Sequence, residues 1–316
     1  MATAKRLIAT IFIVLLGVSA QAQDARRTTS KEAKKGKTGI LLLAHGGKQQ
    51  WNDEVNKLAA AVNKVTPAEA AFGMATKRNI QNAVNSLVSR GVTEIVAVPL
   101  FVSSHSSVIT ATAFLLGLRK DAPPELALYA KMDHGHSGHH TSQAEDPNFD
   151  PTTPVKSQVP VRLTAALDSH AIVAEILLSR ALSISREPRR EVVVVVAHGP
   201  VSDEDNAKWL ADMAALVQRV NKASSFGRIE YLTVRDDAPE PIRSQATAEL
   251  RSVVERASTQ GHQVLIVPLL LSYGGIEEGI KKRLEGLSFT MCRQALLPDE
   301  RLARWVLLSA AIATQN

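Results

Sequence analysis

One pattern occurs twice in this chain, and that repeat limits the fold more than any other feature. Residues 39–46, GILLLAHG, return at 192–199 as VVVVVAHG, and residues 98–103, VPLFVS, return at 267–272 as VPLLLS. Between these markers each half carries a helix-period run that stops at a glycine. The first is Ile80, Val84, Leu87 and Val88 before Gly91; the second is Ile242, Ala246, Leu250, Val253 and Val254 before Gly261. Both halves close alike, from Ala165 through Ala181 and from Ala295 through Ala310. Short apolar runs alternating with amphipathic helices require parallel strands joined by crossover helices. Two copies predict two α/β domains, 38–187 and 190–316, and an apolar content of 45% is enough to bury a core in each.

The spacing of the markers locates an insertion. Pro99 and Pro268 are 169 residues apart, whereas Leu167 and Leu297 are 130 apart, so the first half carries 39 extra residues between them. Most fall in 131–158, a stretch rich in His, Ser, Asp and Pro that reads as a long surface loop. Asp133, His134, His136, His139 and His140 crowd eight positions there, with glycines between them. Such a flexible set suits borderline divalent metals (Ni²⁺, Co²⁺, Cu²⁺ or Zn²⁺) and predicts metal buffering or delivery.

Residues 1–22 read as an address. Lys5 and Arg6 precede an apolar run of about a dozen residues, too short for the roughly 20 that span a bilayer, and Ala20-Gln21-Ala22 offers a cleavage site. A cleaved signal peptide, a basic flexible leader over 23–37 and a periplasmic or secreted mature chain are expected, with no membrane partner after cleavage. Cleavage would lower the formal charge of +6 by the two basic residues lost, and the remaining surplus favours an anionic small molecule. The charge is too diffuse for nucleic acid, and 4% aromatics are too few for a stacking platform. A single cysteine, Cys292, excludes an internal disulfide framework and a structural Cys-zinc site.

Ligands of open parallel sheets bind beyond the carboxyl ends of the strands. His45 directly follows one predicted strand, and His105 lies just past another, before a helix start at Ser106-Ser107. Two imidazoles on one sheet edge could share a metal ion or exchange protons with one ligand, whereas either alone would be an ordinary polar loop residue. His198 repeats the place of His45, but the place of His105 falls to Gly274 in the second half. A structural role for His198 and a direct role facing the interdomain cleft both stay open.

At these residues the sequence resembles the CbiX-type sirohydrochlorin cobaltochelatases of the class II chelatase superfamily. The matching pieces are LLLAHGG at 41–47, IQNAVNSLVSRGVTEIVAVPLFVSSH at 80–105 and VRLTAALDSHAIVAEILLSR at 161–180, with an echo in LLPDERLARWVL at 296–307. The resemblance implies two flavodoxin-like domains facing a central cleft, and insertion of a divalent metal into a sirohydrochlorin-type tetrapyrrole without ATP or another nucleotide. Co²⁺ is the expected metal, with Ni²⁺, Fe²⁺ and Zn²⁺ as others. It implies His45 as metal ligand and acceptor of pyrrole protons, and His105 as a second ligand. Lys48, Lys77, Arg78 and Arg235, in loops, are the expected contacts for substrate carboxylates. The family's acidic residue after an Ala-Phe pair is replaced by Met74, and Glu69 would point to the opposite face of its strand. A binder that kept the fold and lost the catalysis is therefore the alternative.

Overall fold

Runs that are apolar at every position, such as residues 192–196, tolerate no solvent on either face, so each must become an inner strand with helices packed above and below. The computed structural model, which describes residues 36–132 and 149–315, contains two such sheets. In the first half β1 (Thr38–Ala44), β2 (Ala68–Phe72), β3 (Glu94–Pro99) and β4 (Val161–Leu163) form a parallel sheet in the order β2-β1-β3-β4. In the second half β5 (Glu191–Ala197), β6 (Arg228–Thr233), β7 (Gln263–Leu269) and β8 (Thr290–Met291) repeat it as β6-β5-β7-β8. A turn of 3-10 helix, Pro188–Arg190, joins the halves.

Nine helices among the described residues clothe the sheets: α1 (Gln49–Asn63), α2 (Lys77–Ser89), α3 (Ser107–Leu115), α4 (Glu125–Met132), α5 (Ala171–Ile184), α6 (Asp203–Lys222), α7 (Ile242–Thr259), α8 (Ile276–Arg283) and α9 (Arg301–Ala313). Helices α2, α3 and α4 cover the outer face of the first sheet, burying Leu41, Leu43, Ile95 and Ala97. Helices α7 and α8 do the same for Val192, Val194 and Val196 of the second. The inner faces share one continuous core, built from Ile40, Leu42, Val96 and Val98 of one sheet, Val193, Val195, Leu265 and Val267 of the other, and helices α1, α5, α6 and α9 between them. The expected glycine stops are present: Gly91 and Gly261 follow α2 and α7 with φ of +74° and +79°.

The closing helices are exchanged. Helix α5 ends the first half but packs on β7, and α9 ends the second half but packs on β3. The loop ahead of α9 is held from the other half by Arg180 of α5, which is only 9% exposed. Its guanidinium donates to the carbonyls of Ala295 (2.8 Å), Leu296 (3.2 Å) and Pro298 (3.0 Å) and to Gln294 Oε1 (3.0 Å), and it pairs with Asp299 at 3.6 Å.

The insertion is less loop-like than its composition suggests. Lys131 and Met132 close α4, and Val155 and Val159 pack on the outer core of the first half. Gln81 of α2 donates to the Lys156 carbonyl at 2.8 Å and accepts from its N–H at 2.7 Å. His134, His136, His139 and His140 lie outside the described residues, as do the expected signal peptide and nearly all of the leader.

Candidate functional site

In the order β2-β1-β3-β4 the chain reverses its direction of travel across the sheet between β1 and β3, and the carboxyl ends of those two strands flank the crevice where such folds bind ligands. His45 follows β1 and His105 follows β3. The two strands are hydrogen-bonded neighbours, Leu43 opposite Pro99, and their ladder runs on with Leu100 N–H donating to Leu43 O at 2.7 Å. The structure thus brings both histidines to one edge and one pair of adjacent strands.

His45 is exposed, and its Nδ1 lies 2.8 Å from the Gly46 carbonyl. A carbonyl only accepts, so Nδ1 carries the hydrogen and Nε2 keeps a lone pair directed away from the backbone, the form that binds a metal or takes a proton. Gly46 makes the turn with φ of +82°, a conformation that costs residues with a Cβ about 1–2 kcal/mol. Its counterpart Gly199 is more tightly constrained, because a Cβ there would lie 2.5 Å from Thr233 Cβ.

His105 is half-buried in the turn between β3 and α3, and the main chain around it is bonded on both sides. Asp168, held in the left-handed region at φ +43°, accepts from Ser104 N–H at 2.5 Å and from Ser104 Oγ at 2.7 Å. His105 N–H donates to Ser103 Oγ at 3.1 Å, and its carbonyl accepts from the Trp209 indole at 2.7 Å. The start of α3 is as expected, with Ser106 Oγ accepting from Val108 N–H at 3.3 Å.

His198 leaves β5 at the equivalent point of the second sheet, 3.4 Å by Nε2 from Asp237 Oδ2. Its neighbour across that edge is the Ser272–Gly275 turn, which carries no imidazole. The turns after the paired strands also touch across the halves. Trp209 of α6 bonds the His105 turn, while Glu54 of α1 accepts from Ser272 Oγ and Trp51 Cδ1 would lie 3.4 Å from a Cβ at Gly274.

The four cationic candidates separate into two groups. Lys48 is exposed just ahead of α1, beside His45. Arg78 lies 4.7 Å from the centre of the Phe149 ring and forms no hydrogen bond among the described residues. Lys77 is spent on structure: it donates to the Asp150 carbonyl at 2.7 Å and to Thr153 Oγ1 at 2.5 Å. Burial lowers its pKa, aided by Lys156 and opposed by Asp150. Arg235 is not a free loop cation. It is 8% exposed, and each of its three nitrogens donates, to Pro200 O at 3.1 Å, to Val201 O and to Asp203 at 2.6 Å, so its charge is buried and already paired. The loop residue expected to meet a carboxylate is a clamp, because three acceptors of the turn after β5 converge on it.

Met74 packs on the outer core, and Glu69 is tied to Arg90 at 2.9 Å and Ser86 at 2.8 Å, away from the histidine edge. Among the described residues no cluster of three His, Cys, Asp or Glu side chains has metal-binding geometry. The flanks of the His-rich segment do adjoin this region. Tyr129 of α4 bonds Ser107 at 2.5 Å, two residues after His105, and Phe149 stacks under Lys77 and Arg78 at the start of α2.

Sequence reasoning missed Trp209 and its partner position. The burial pattern Trp51, Val55, Leu58, Ala59, Val62 in α1 recurs in α6 as Trp209, Met213, Leu216, Val217, Val220, at a constant offset of 158 residues. The histidines are offset by 153, so α6 contains about one extra turn ahead of its tryptophan. That mismatch hid the equivalence.

Comparison with known proteins finds similarity in both sequence and fold. The protein-family model described as CbiX matches residues 39–184, which includes both His45 and His105. A sirohydrochlorin cobaltochelatase of Methanococcoides burtonii is 26% identical over 152 residues, 47% of this chain and 97% of that protein. Among solved structures, SirB from Bacillus subtilis with Fe³⁺ superposes with a TM-score of 0.57 at 16% identity, covering 88% of this chain and 95% of that one. The sirohydrochlorin chelatase SirB from Bacillus subtilis subspecies spizizenii in complex with cobalt gives 0.55 at 15%, covering 89% and 96%. The fold is that of a duplicated chelatase.

Proposed function

We propose, for a chain whose first half is a CbiX-type class II chelatase domain, that it inserts a divalent metal, Co²⁺ first, into a sirohydrochlorin-type tetrapyrrole. The carrying observation is that His45 and His105 leave the neighbouring strands β1 and β3 at the switch point of the first sheet. Metal and macrocycle are both substrates. Insertion exchanges two pyrrole N–H protons for one M²⁺ and needs no nucleotide, because forming the metal–nitrogen bonds drives it. His45 Nε2 holds the incoming metal and then, as the metal passes to the ring, accepts one of the two protons, while the other goes to water. His105 supplies the second nitrogen. Lys48 and Arg78 are the cations that remain available for substrate carboxylates.

In this proposal His134, His136, His139 and His140 collect metal for delivery, a role supported by the described flanks of their segment, which reach Ser107 and Lys77. Export is also part of it, supported by the basic, apolar and Ala-Gln-Ala pattern of residues 1–22. The mature protein is expected to begin at Gln23, and mass spectrometry of the native protein reads this directly. An intact Met1 on the mature protein contradicts export by cleavage.

A non-catalytic metal or tetrapyrrole binder is the second possibility, favoured by Met74 and by the engagement of Glu69 with Arg90. An anaerobic absorbance assay of Co²⁺ insertion into sirohydrochlorin separates the two. Acceleration over the protein-free rate supports the enzyme. Binding of metal and macrocycle with no acceleration supports the binder.

A further inference from the structure

We propose that Trp209, contributed by the second half, is a positioning residue for His105, and that the second half braces the first half's ligand turn through this indole. The inference rests on His105 being a metal ligand, as argued above. Residues 100–106 are neither strand nor helix, and such a turn is held only by the bonds made to it. Within the first half, Asp168 fixes Ser104 and Ser103 takes the His105 N–H. The His105 carbonyl is fixed from outside, by the Trp209 indole N–H at 2.7 Å, across 104 residues of sequence. With both main-chain groups occupied, the imidazole is the part of His105 that forms no hydrogen bond among the described residues, and its aim follows from the peptide planes on either side.

The duplication provides an internal control. Trp51 occupies the place of Trp209 on α1, and its partner turn carries Gly274 where the first half has His105. There the indole only touches the turn, near the missing Cβ of Gly274, and makes no hydrogen bond to it among the described residues. The N–H bond is therefore present where a histidine must be aimed and absent where none stands. A second asymmetry lies three residues on. Glu54 accepts from Ser272, while its counterpart Asp212 keeps a buried Oδ2 with no partner among the described residues. Burial raises the Asp212 pKa, as does the Asp168 carboxylate, while His105 and Ser169 oppose the rise. The face of α6 toward the His105 turn is thus polar where the central core alone would ask only for apolar contact.

Packing alone is the competing account, since Trp209 also rests on the central core. The test is Co²⁺ binding by the full chain, read by calorimetry and by the visible Co²⁺ spectrum. The variants are Trp209→Phe, His105→Ala and their combination, with a thermal melt of each. Replacing Trp209 by benzothienylalanine, which keeps the ring shape and lacks the N–H, covers the case in which Trp209→Phe folds poorly. We expect the loss of the N–H to weaken Co²⁺ binding about fivefold, the worth of one hydrogen bond, and to change the spectrum. In the His105→Ala background it should weaken nothing further, although any loss of melting temperature is the same in both. Wild-type affinity and spectrum without the N–H, alongside a weakened His105→Ala, overturn the inference and leave the site intact. Equal weakening in both backgrounds overturns it in favour of packing. An unaffected His105→Ala removes the shared site itself, and the inference with it.

Discussion

At the scale of single residues, position on the sheet edge and freedom from other bonds decide which side chains can do chemistry. His45 and Lys48 are exposed at that edge, whereas Arg235, equally cationic and equally in a loop, is consumed by Pro200, Val201 and Asp203. Arg235→Ala should therefore cost stability, about 1–3 kcal/mol for carbonyls left without a donor, and leave sirohydrochlorin affinity unchanged. Urea unfolding and calorimetry check both halves of that statement, and a loss of affinity with full stability would restore Arg235 as a substrate contact. The histidines were legible because each follows an apolar run that can only be a strand. The fate of Arg235 was not, because two of its three acceptors are main-chain carbonyls some 35 residues away in the chain. Sequence composition carries no record of such pairs.

At the scale of elements, the strands, the glycine-stopped helices and the duplication could all be read from periodicity, but the exchange of α5 and α9 could not. Both helices are apolar on the face they bury, and pattern alone does not say which sheet they meet. The exchange has a consequence for the isolated first half. Without α9 the inner face of β3 would be bare, and α5, the counterpart of α9, would have no β7 to cover. Residues 36–187 expressed alone should pair into a dimer in which α5 of each copy covers β3 of the other; light scattering that finds a folded monomer would contradict the exchange.

Arg180 tests the same joint. Arg180→Met should cost about 3 kcal/mol, as expected for breaking a buried, multiply bonded ion pair, and chemical denaturation measures it. Asp299 adds a pH dependence. Burial opposes its ionisation, but hydrogen bonds from Arg301 and the charges of Arg301 and Arg180 outweigh this and hold its pKa below the usual carboxylate range. A lowered acid stabilises the fold above its unfolded pKa of about 3.9, and that stability is lost as pH falls through the lower folded value. Acid melts of Asp299→Asn should be flatter than wild type below about pH 4.

At the scale of the whole molecule, the two halves share a fold and divide the labour. The first carries both histidines, and the second has Gly274 where His105 would stand and contributes bracing contacts from α6. The insertion was legible from marker spacing, but its later part is docked by Val155, Val159 and Lys156 against the first half. Removing only residues 133–148 should therefore lower the number of bound Ni²⁺ or Co²⁺ ions and keep the fold. Removing 131–158 should also cost stability. Calorimetric stoichiometry and thermal melts distinguish these outcomes, and unchanged stoichiometry in the shorter deletion would end the role assigned to the four histidines.

The measurement closest to the central claim is anaerobic Co²⁺ insertion into sirohydrochlorin by wild type, His45→Ala, His105→Ala and His198→Ala, with Co²⁺ affinity determined in parallel. Two ligands at one switch point predict that either first-half substitution lowers affinity or insertion rate at least about tenfold, roughly 1.4 kcal/mol. His198→Ala should cost less, and all three should melt near the wild-type temperature. Equal affinity and equal rate in wild type and His45→Ala would contradict the account.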